Sequence, residues 1–269
     1  MTLRLIATDL DGTLLDSTAS VSPRTRAALD AARAQGIHVV PVTARQPIGL
    51  RTIAADAAFD DWALCSNGAY AVHLTDKRML FAEELPAETI RSLADALRAS
   101  IPDLLFASVR EAGETFVAQH GYAEIADHSD HKRDPKDMGG VTLAEVVDAP
   151  SVKFVIRHPE LAPPEVYATL QSLELTGFEA TLSGAPFVEI MAEGVTKATC
   201  LARLCAHLEI DRAEVVAFGD ALNDVEMLRW AGHGVAMAGA ADVVQNAADE
   251  TTVSNDDHGV ARVIERLLG

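Results

Sequence analysis

Apolar positions follow two different textures along the chain. Leu3-Arg4-Leu5-Ile6-Ala7-Thr8 is a short apolar run that stops at Asp9, which predicts a buried strand. Ser22-Pro23 reads as a helix start, a capping hydroxyl followed by proline at the first helical position, and Gly36 reads as its stop. Residues 37–42 and 62–65 predict two more strands, closed by Thr43-Ala44-Arg45 and by Ser66-Asn67-Gly68. Strands that alternate with helices of this length predict a parallel sheet with helices on both faces.

The texture changes after Tyr70. Residues 70–74 and 78–81 flank Thr75-Asp76-Lys77 and predict a hairpin. From Pro86 the pattern predicts a helix to Ser100, strands near 104–109 and 115–118, and a polar stretch over 128–140. A strand at 152–157, a helix at 163–173 and strands near 178–182 and 187–191 follow. The alternating texture then resumes, with a helix at 196–207, a strand at 215–218, a helix at 221–230, a brief strand at 235–237 and a final amphipathic helix at 256–268. The expected organisation is an α/β core with a Rossmann-like parallel sheet, built from 1–82 and 188–269, and an inserted α+β cap over 83–187.

Charge narrows the partners. Over 269 residues the formal net charge is -18, a field that repels nucleic acid and anionic membrane surfaces. A small phosphorylated metabolite can still bind if a metal ion and a few cations invert the local field. Cys65, Cys200 and Cys205 are odd in number and lack metal-type spacing, which fits a reducing compartment. No apolar run is long enough to span a bilayer, and the start lacks the pattern of a signal peptide, so a cytoplasmic location is expected.

Two acidic clusters carry the candidate chemistry. Asp9-Leu10-Asp11-Gly12-Thr13 directly follows the first strand, and ligands of open parallel sheets bind beyond the carboxyl ends of the strands. Side chains two apart at a strand end project to the same side, which would pair Asp9 with Asp11. Neighbouring carboxylates both stay ionised beside a cation, and hard oxygen ligands suit Mg²⁺. Gly12 lets the chain turn away without a Cβ in the site. Taken alone, the run also fits a plain turn; it lacks the glycine and glutamate positions of an EF-hand.

Gly219-Asp220-Ala221-Leu222-Asn223-Asp224 is the second cluster, at another strand-to-helix junction. Asp220 and Asp224 are one helical turn apart, so one can hold a metal while the other orients its surroundings. A helix start that favours acidic residues explains one aspartate more easily than the pair with Asn223. Thr196-Lys197 and Thr43 with Arg45 are candidate anion holders. His128, His131, Lys132 and Arg133 form the most basic stretch, readable either as a solvated loop or as substrate contacts.

Asp9-Leu10-Asp11-Gly12-Thr13-Leu14-Leu15, Thr43-Ala44-Arg45, Ser66-Asn67-Gly68-Ala69, Lys197 and Gly219-Asp220-Ala221-Leu222-Asn223-Asp224 together resemble the haloacid dehalogenase-like hydrolases. The order, and the large insert between the threonine and lysine motifs, resemble the Cof-type phosphatases. The resemblance implies a phosphatase in which Asp9 is the nucleophile and Asp11 the acid, then base. Thr43 and Lys197 would hold the phosphoryl group, with Gly12, Ala44 and Asn223 lining the same place. Mg²⁺ would be bound by Asp9, Asp11 through its backbone carbonyl, and Asp220, supported by Asp224. Ala44 stands where the family usually has glycine, and Ala221 where it commonly has a polar residue. A phosphomutase or phosphotransferase using the same aspartate, and a phosphometabolite-binding regulator without turnover, are the alternatives. Neither a phosphate-binding P-loop nor a dinucleotide glycine fingerprint is present.

Overall fold

A computed structural model of the chain describes residues 2–269, apart from the side chains of Thr52 and Ala112. The described residues form two compact units. The first comprises the chain up to Ala44, Leu50–Phe81 and Thr196–Gly269; the second comprises Arg45–Gly49 and Ala82–Val195.

The first unit begins with β1 (Leu5–Thr8), β2 (His38–Pro41) and β3 (Trp62–Cys65), followed by β4 (Tyr70–His73) and β5 (Met79–Ala82). The second unit carries β6 (Leu105–Arg110), β7 (Thr115–Ala118), β8 (Lys153–Arg157), β9 (Phe178–Thr181) and β10 (Val188–Ala192). The chain then returns to the first unit with β11 (Val215–Gly219), β12 (His233–Ala236) and β13 (Glu250–Thr251).

The first unit's main sheet is five-stranded and parallel, in the order β13-β12-β11-β1-β2. From β1 the chain steps outward to β2 in one direction, and from β11 to β12 and β13 in the other. The order therefore reverses between β1 and β11, and ligands of open parallel sheets bind beyond the carboxyl ends at such a point. Both β1 and β11 are buried along their whole length, as the continuous apolar runs require. Ile6 packs with Leu29 and Ala32 of the Pro23–Ala34 helix and with Val260 and Ile264 of the Gly259–Leu268 helix. The predicted cap holds: Ser22 Oγ accepts the Thr25 N–H at 3.1 Å.

Three expectations about elements change. β3 belongs to a separate antiparallel sheet, β3-β4-β5, and meets the parallel sheet at the Val42–Leu64 bridge. A helix at Pro47–Ala57 joins the expected elements, opened by proline at its first position, the same signal that marks Pro23. The last helix starts at Gly259 rather than 256, because Ser254 and Asp257 close a turn through a hydroxyl–carboxylate bond and His258 is left-handed.

The second unit is an antiparallel sheet in the order β7-β6-β8-β10-β9. Phe106, Phe154, Ile156, Val188 and Ile190 form its core with Ile90, Leu93 and Leu97 of the Ala87–Ser100 helix and Val166 and Leu170 of the Pro163–Ser172 helix. The boundary expected at 188 moves to 195, since β10 pairs with both β8 and β9 and buries its alternate residues in this core. Lys153 and Glu189 form a buried ion pair at 2.5 Å.

The basic stretch is not a solvated loop throughout. His131 is buried, stacked on Phe187 at 4.6 Å and bonded to the Tyr122 hydroxyl at 2.8 Å. Burial first, then the cations Lys153, Arg157 and Arg133, push its imidazole down to about 3. Arg133 donates to the Gly113 and Glu114 carbonyls and lies over the Phe116 ring. Among the described residues no helix is long and apolar enough to cross a membrane.

Candidate active site

Parallel register sets the site. Thr8 of β1 stands opposite Phe218 of β11, and the Asp9 N–H donates to the Phe218 carbonyl at 3.0 Å. Asp9 thus leaves its strand beside the point where Gly219-Asp220 leaves the next one. The chain then swings through a wide turn over Leu10–Leu14, with Gly12 at φ +81°. A Cβ on Gly12 would lie 2.4 Å from Asp220 Oδ2, so both the backbone angle and the close approach require glycine. Thr13 Oγ1 donates to Asp220 Oδ1 at 2.6 Å from the end of the same turn.

Asp224 is fully buried and its two oxygens have distinct tasks. Oδ2 accepts the N–H groups of Asp220 and Ala221, each at 3.0 Å, which closes the loop after β11. Ala221 contributes here through its backbone, so its missing polar side chain does not disturb this cap. Oδ1 accepts from Lys197 Nζ at 2.6 Å. The same ammonium donates to Asp9 Oδ1 at 2.7 Å. Lys197 reaches this position from the first turn of the Lys197–His207 helix, which Thr196 caps by accepting the Thr199 N–H.

Oxygens of Asp9, Asp220 and Asp224 lie within 4.8 Å of one another. Lys197 is 1% exposed and Asp9 6%, so this charge is held largely away from water. Burial pushes the Asp9 carboxyl well above the usual range; Lys197 opposes this, while Asp224 and Asp220 add to it. Asp220 is pushed up to about 6, first by burial, against the Thr13 bond and with Asp224 adding. Burial disfavours the Lys197 ammonium, but Asp224 and Asp9 outweigh that and raise it. A cluster of three carboxylates around one ammonium retains excess negative charge. Its all-oxygen carboxylate set fits a hard divalent cation such as Mg²⁺.

Asp220 and Asp224 are acidic neighbours of Asp9. β1 ends at Thr8, and Asp11 is exposed on the wide turn that follows. Its charge still raises Asp220.

Thr43 is buried just beyond β2; its N–H donates to the Leu64 carbonyl and its carbonyl accepts the Asn67 N–H, both at 2.9 Å. Ala44 follows it, half-buried. Asn223 Nδ2 donates to Asn67 Oδ1 at 3.0 Å. Thr13 and Asn67 are the residues that sequence reasoning quoted without a task. A polar residue four positions past Asp9, and one closing β3, were the available signals.

The comparisons agree with this geometry. Residues 6–264 match the family model of the haloacid dehalogenase-like hydrolases. The pyridoxal phosphate phosphatase YbhA of Escherichia coli (strain K12) is 29% identical over 273 residues, covering 98% of both chains. The 5-amino-6-(5-phospho-D-ribitylamino)uracil phosphatase YitU of Bacillus subtilis (strain 168) is 27% identical, covering 98% of this chain and 97% of the relative. Among solved structures, BT1666, a phosphatase of the haloalkanoate (HAD) superfamily from Bacteroides thetaiotaomicron, is 27% identical with a TM-score of 0.83, covering 98% of this chain and 95% of that one. The chain belongs to the haloacid dehalogenase-like hydrolases, as a phosphoric monoester hydrolase.

Proposed function

We propose that this enzyme is a Mg²⁺-dependent phosphatase of small phosphorylated metabolites that works through an aspartyl-phosphate on Asp9. The observation that carries the reading is the Lys197 ammonium bonded to both Asp9 and Asp224 inside a buried cluster with excess negative charge. An anionic substrate would be repelled by that cluster, and Mg²⁺ bound there supplies the charge neutralisation that lets it approach.

Lys197 holds Asp9 by Oδ1, which leaves Oδ2 as the oxygen that attacks phosphorus. The ester P–O bond breaks as the Asp9–phosphorus bond forms, and Asp11 gives its proton to the departing alkoxide. Asp11, now ionised, takes a proton from water as that water attacks the phosphorus of the acyl-phosphate. Inorganic phosphate leaves and Asp9 returns to its carboxylate. Exposure on the turn suits Asp11 to meet substrate and water in succession. A lysine has three N–H donors; two of those on Lys197 are engaged by carboxylates, and the third can meet a phosphoryl oxygen, opposite Thr43.

The substrate class is a sugar phosphate or a phosphorylated cofactor, in keeping with relatives named for pyridoxal phosphate and for a phosphorylated ribitylaminouracil. The test is phosphate release from p-nitrophenyl phosphate and a panel of phosphorylated metabolites in Mg²⁺, with Asp9→Asn beside the wild type. Turnover is expected to fall roughly a thousandfold or more in Asp9→Asn. Acid-quenched wild-type enzyme is expected to carry phosphate on the peptide containing Asp9. Normal turnover in the variant would remove the covalent route.

A further inference from the structure

The mechanism leaves Ser66-Asn67-Gly68 without a role, yet this tripeptide is conformationally unusual. All three residues are buried and left-handed, with φ of 52°, 57° and 99°. Residues with a side chain seldom adopt this conformation, and two in succession persist only where the surroundings hold them.

Three segments of the site meet at this point. The Asn67 N–H donates to the Thr43 carbonyl at 2.9 Å. Asn67 Oδ1 accepts from Asn223 Nδ2 at 3.0 Å. Gly68 lies so near the Lys197 helix that a Cβ would sit 2.6 Å from Cys200 Cβ and 3.1 Å from the Thr196 carbonyl. The other end of the Asn223 amide, Oδ1, is buried with no hydrogen-bond partner among the described residues.

We propose that Asn67 is a positioning residue whose amide oxygen orients Asn223 while its backbone N–H fixes Thr43. An amide has a donating and an accepting end, so anchoring the first determines where the second points. An accepting oxygen left buried and unpaired is costly, which marks Asn223 Oδ1 as an atom presented for use when the site is loaded. Asparagine meets both demands at position 67, because it tolerates the left-handed backbone and carries the acceptor. The inference rests on the phosphatase reading above, in which Asn223 and Thr43 line the phosphoryl site.

Asn67→Gly separates the two demands, since glycine keeps the left-handed backbone and removes only the side-chain acceptor. Turnover of p-nitrophenyl phosphate would be measured for Asn67→Gly, Asn223→Ala and the double variant, with the Mg²⁺ dependence of thermal melting as a second readout. Each single variant is expected to lower kcat roughly tenfold with a smaller change in KM, and to raise the Mg²⁺ needed for half-maximal stabilisation. The double variant is expected to be no worse than Asn223→Ala, because the two residues act as one unit. Effects that multiply, wild-type kcat in Asn67→Gly, or its failure to fold would each overturn the proposal. Asp9→Asn serves as the control: full turnover there sinks the phosphatase reading itself, whereas an inactive Asp9→Asn beside a fully active Asn67→Gly sinks only the positioning role.

Discussion

Each unit of this protein buries an ionic group, and the two groups differ in a way that separates structure from function. In the second unit Lys153 meets Glu189 at 2.5 Å, with side chains 4% and 1% exposed. In the first unit Lys197 is as deeply buried but serves Asp9 and Asp224 together, with Asp220 alongside. The Glu189 contact sets an opposite charge directly against the Lys153 ammonium. Around Lys197 three carboxylates gather; burial is the main cause that raises the Asp9 and Asp220 carboxyls, and Asp224 adds to both. Burial of charge alone therefore says little about chemistry. Burial of several carboxylates around one ammonium, where the strand order reverses, is where the proposed function places a cation and an anionic substrate.

The comparison can be broken from either side. Lys197→Ala removes the ammonium from the unbalanced cluster, and turnover is expected to fall roughly a thousandfold at saturating Mg²⁺; steady-state kinetics would check this. On the other side, Lys153→Ala removes the ammonium that contacts buried Glu189 and is expected to cost about 3 kcal/mol of stability in urea unfolding. The joint K153M/E189L replacement should regain most of that loss, since a buried pair can be exchanged for apolar residues of similar volume. No such exchange would preserve function at Lys197.

Gly12→Ala tests the geometry of the cluster without altering its charge. The added Cβ would meet Asp220 Oδ2 at 2.4 Å on a left-handed backbone. Turnover is expected to fall roughly a hundredfold, with a higher Mg²⁺ requirement in activity assays. The smallest effect concerns pH. The His131 imidazole is held near 3 in the folded protein, against 6.5 ordinarily. Between these values the unfolded chain binds a proton that the folded one refuses. Stability should therefore fall as pH drops below 6.5, by roughly 1 kcal/mol per pH unit from this group. Melting curves of His131→Phe should depend less on pH across that window.

Much of this was legible in the sequence because the parallel core writes continuous apolar runs that end in chemistry. Asp9, Asp220 and Lys197 were placed from strand ends and helix starts, and the structure brings all three together. Asp11 lies past the end of β1, on a wide turn with Gly12 at φ +81°, where strand alternation is no guide to side-chain direction. Asn67 and Thr13 gained their tasks only from contacts with Asn223 and Asp220, 156 and 207 residues away along the chain. No local pattern encodes such distances. The same holds for β10, whose apolar alternation fits either unit and whose pairing with β8 and β9 assigns it to the second. His131 looked like part of a polar run, yet its ring is packed against Phe187 and Phe116.

The most direct test of the central claim is calorimetric titration of Mg²⁺ into the wild type, Asp220→Ala and K153M/E189L. One binding site is predicted in the wild type, retained in the second-unit double variant and lost in Asp220→Ala. Undiminished Mg²⁺ binding by Asp220→Ala, or its loss in K153M/E189L alone, would contradict the assignment of the ion to the carboxylate cluster around Lys197.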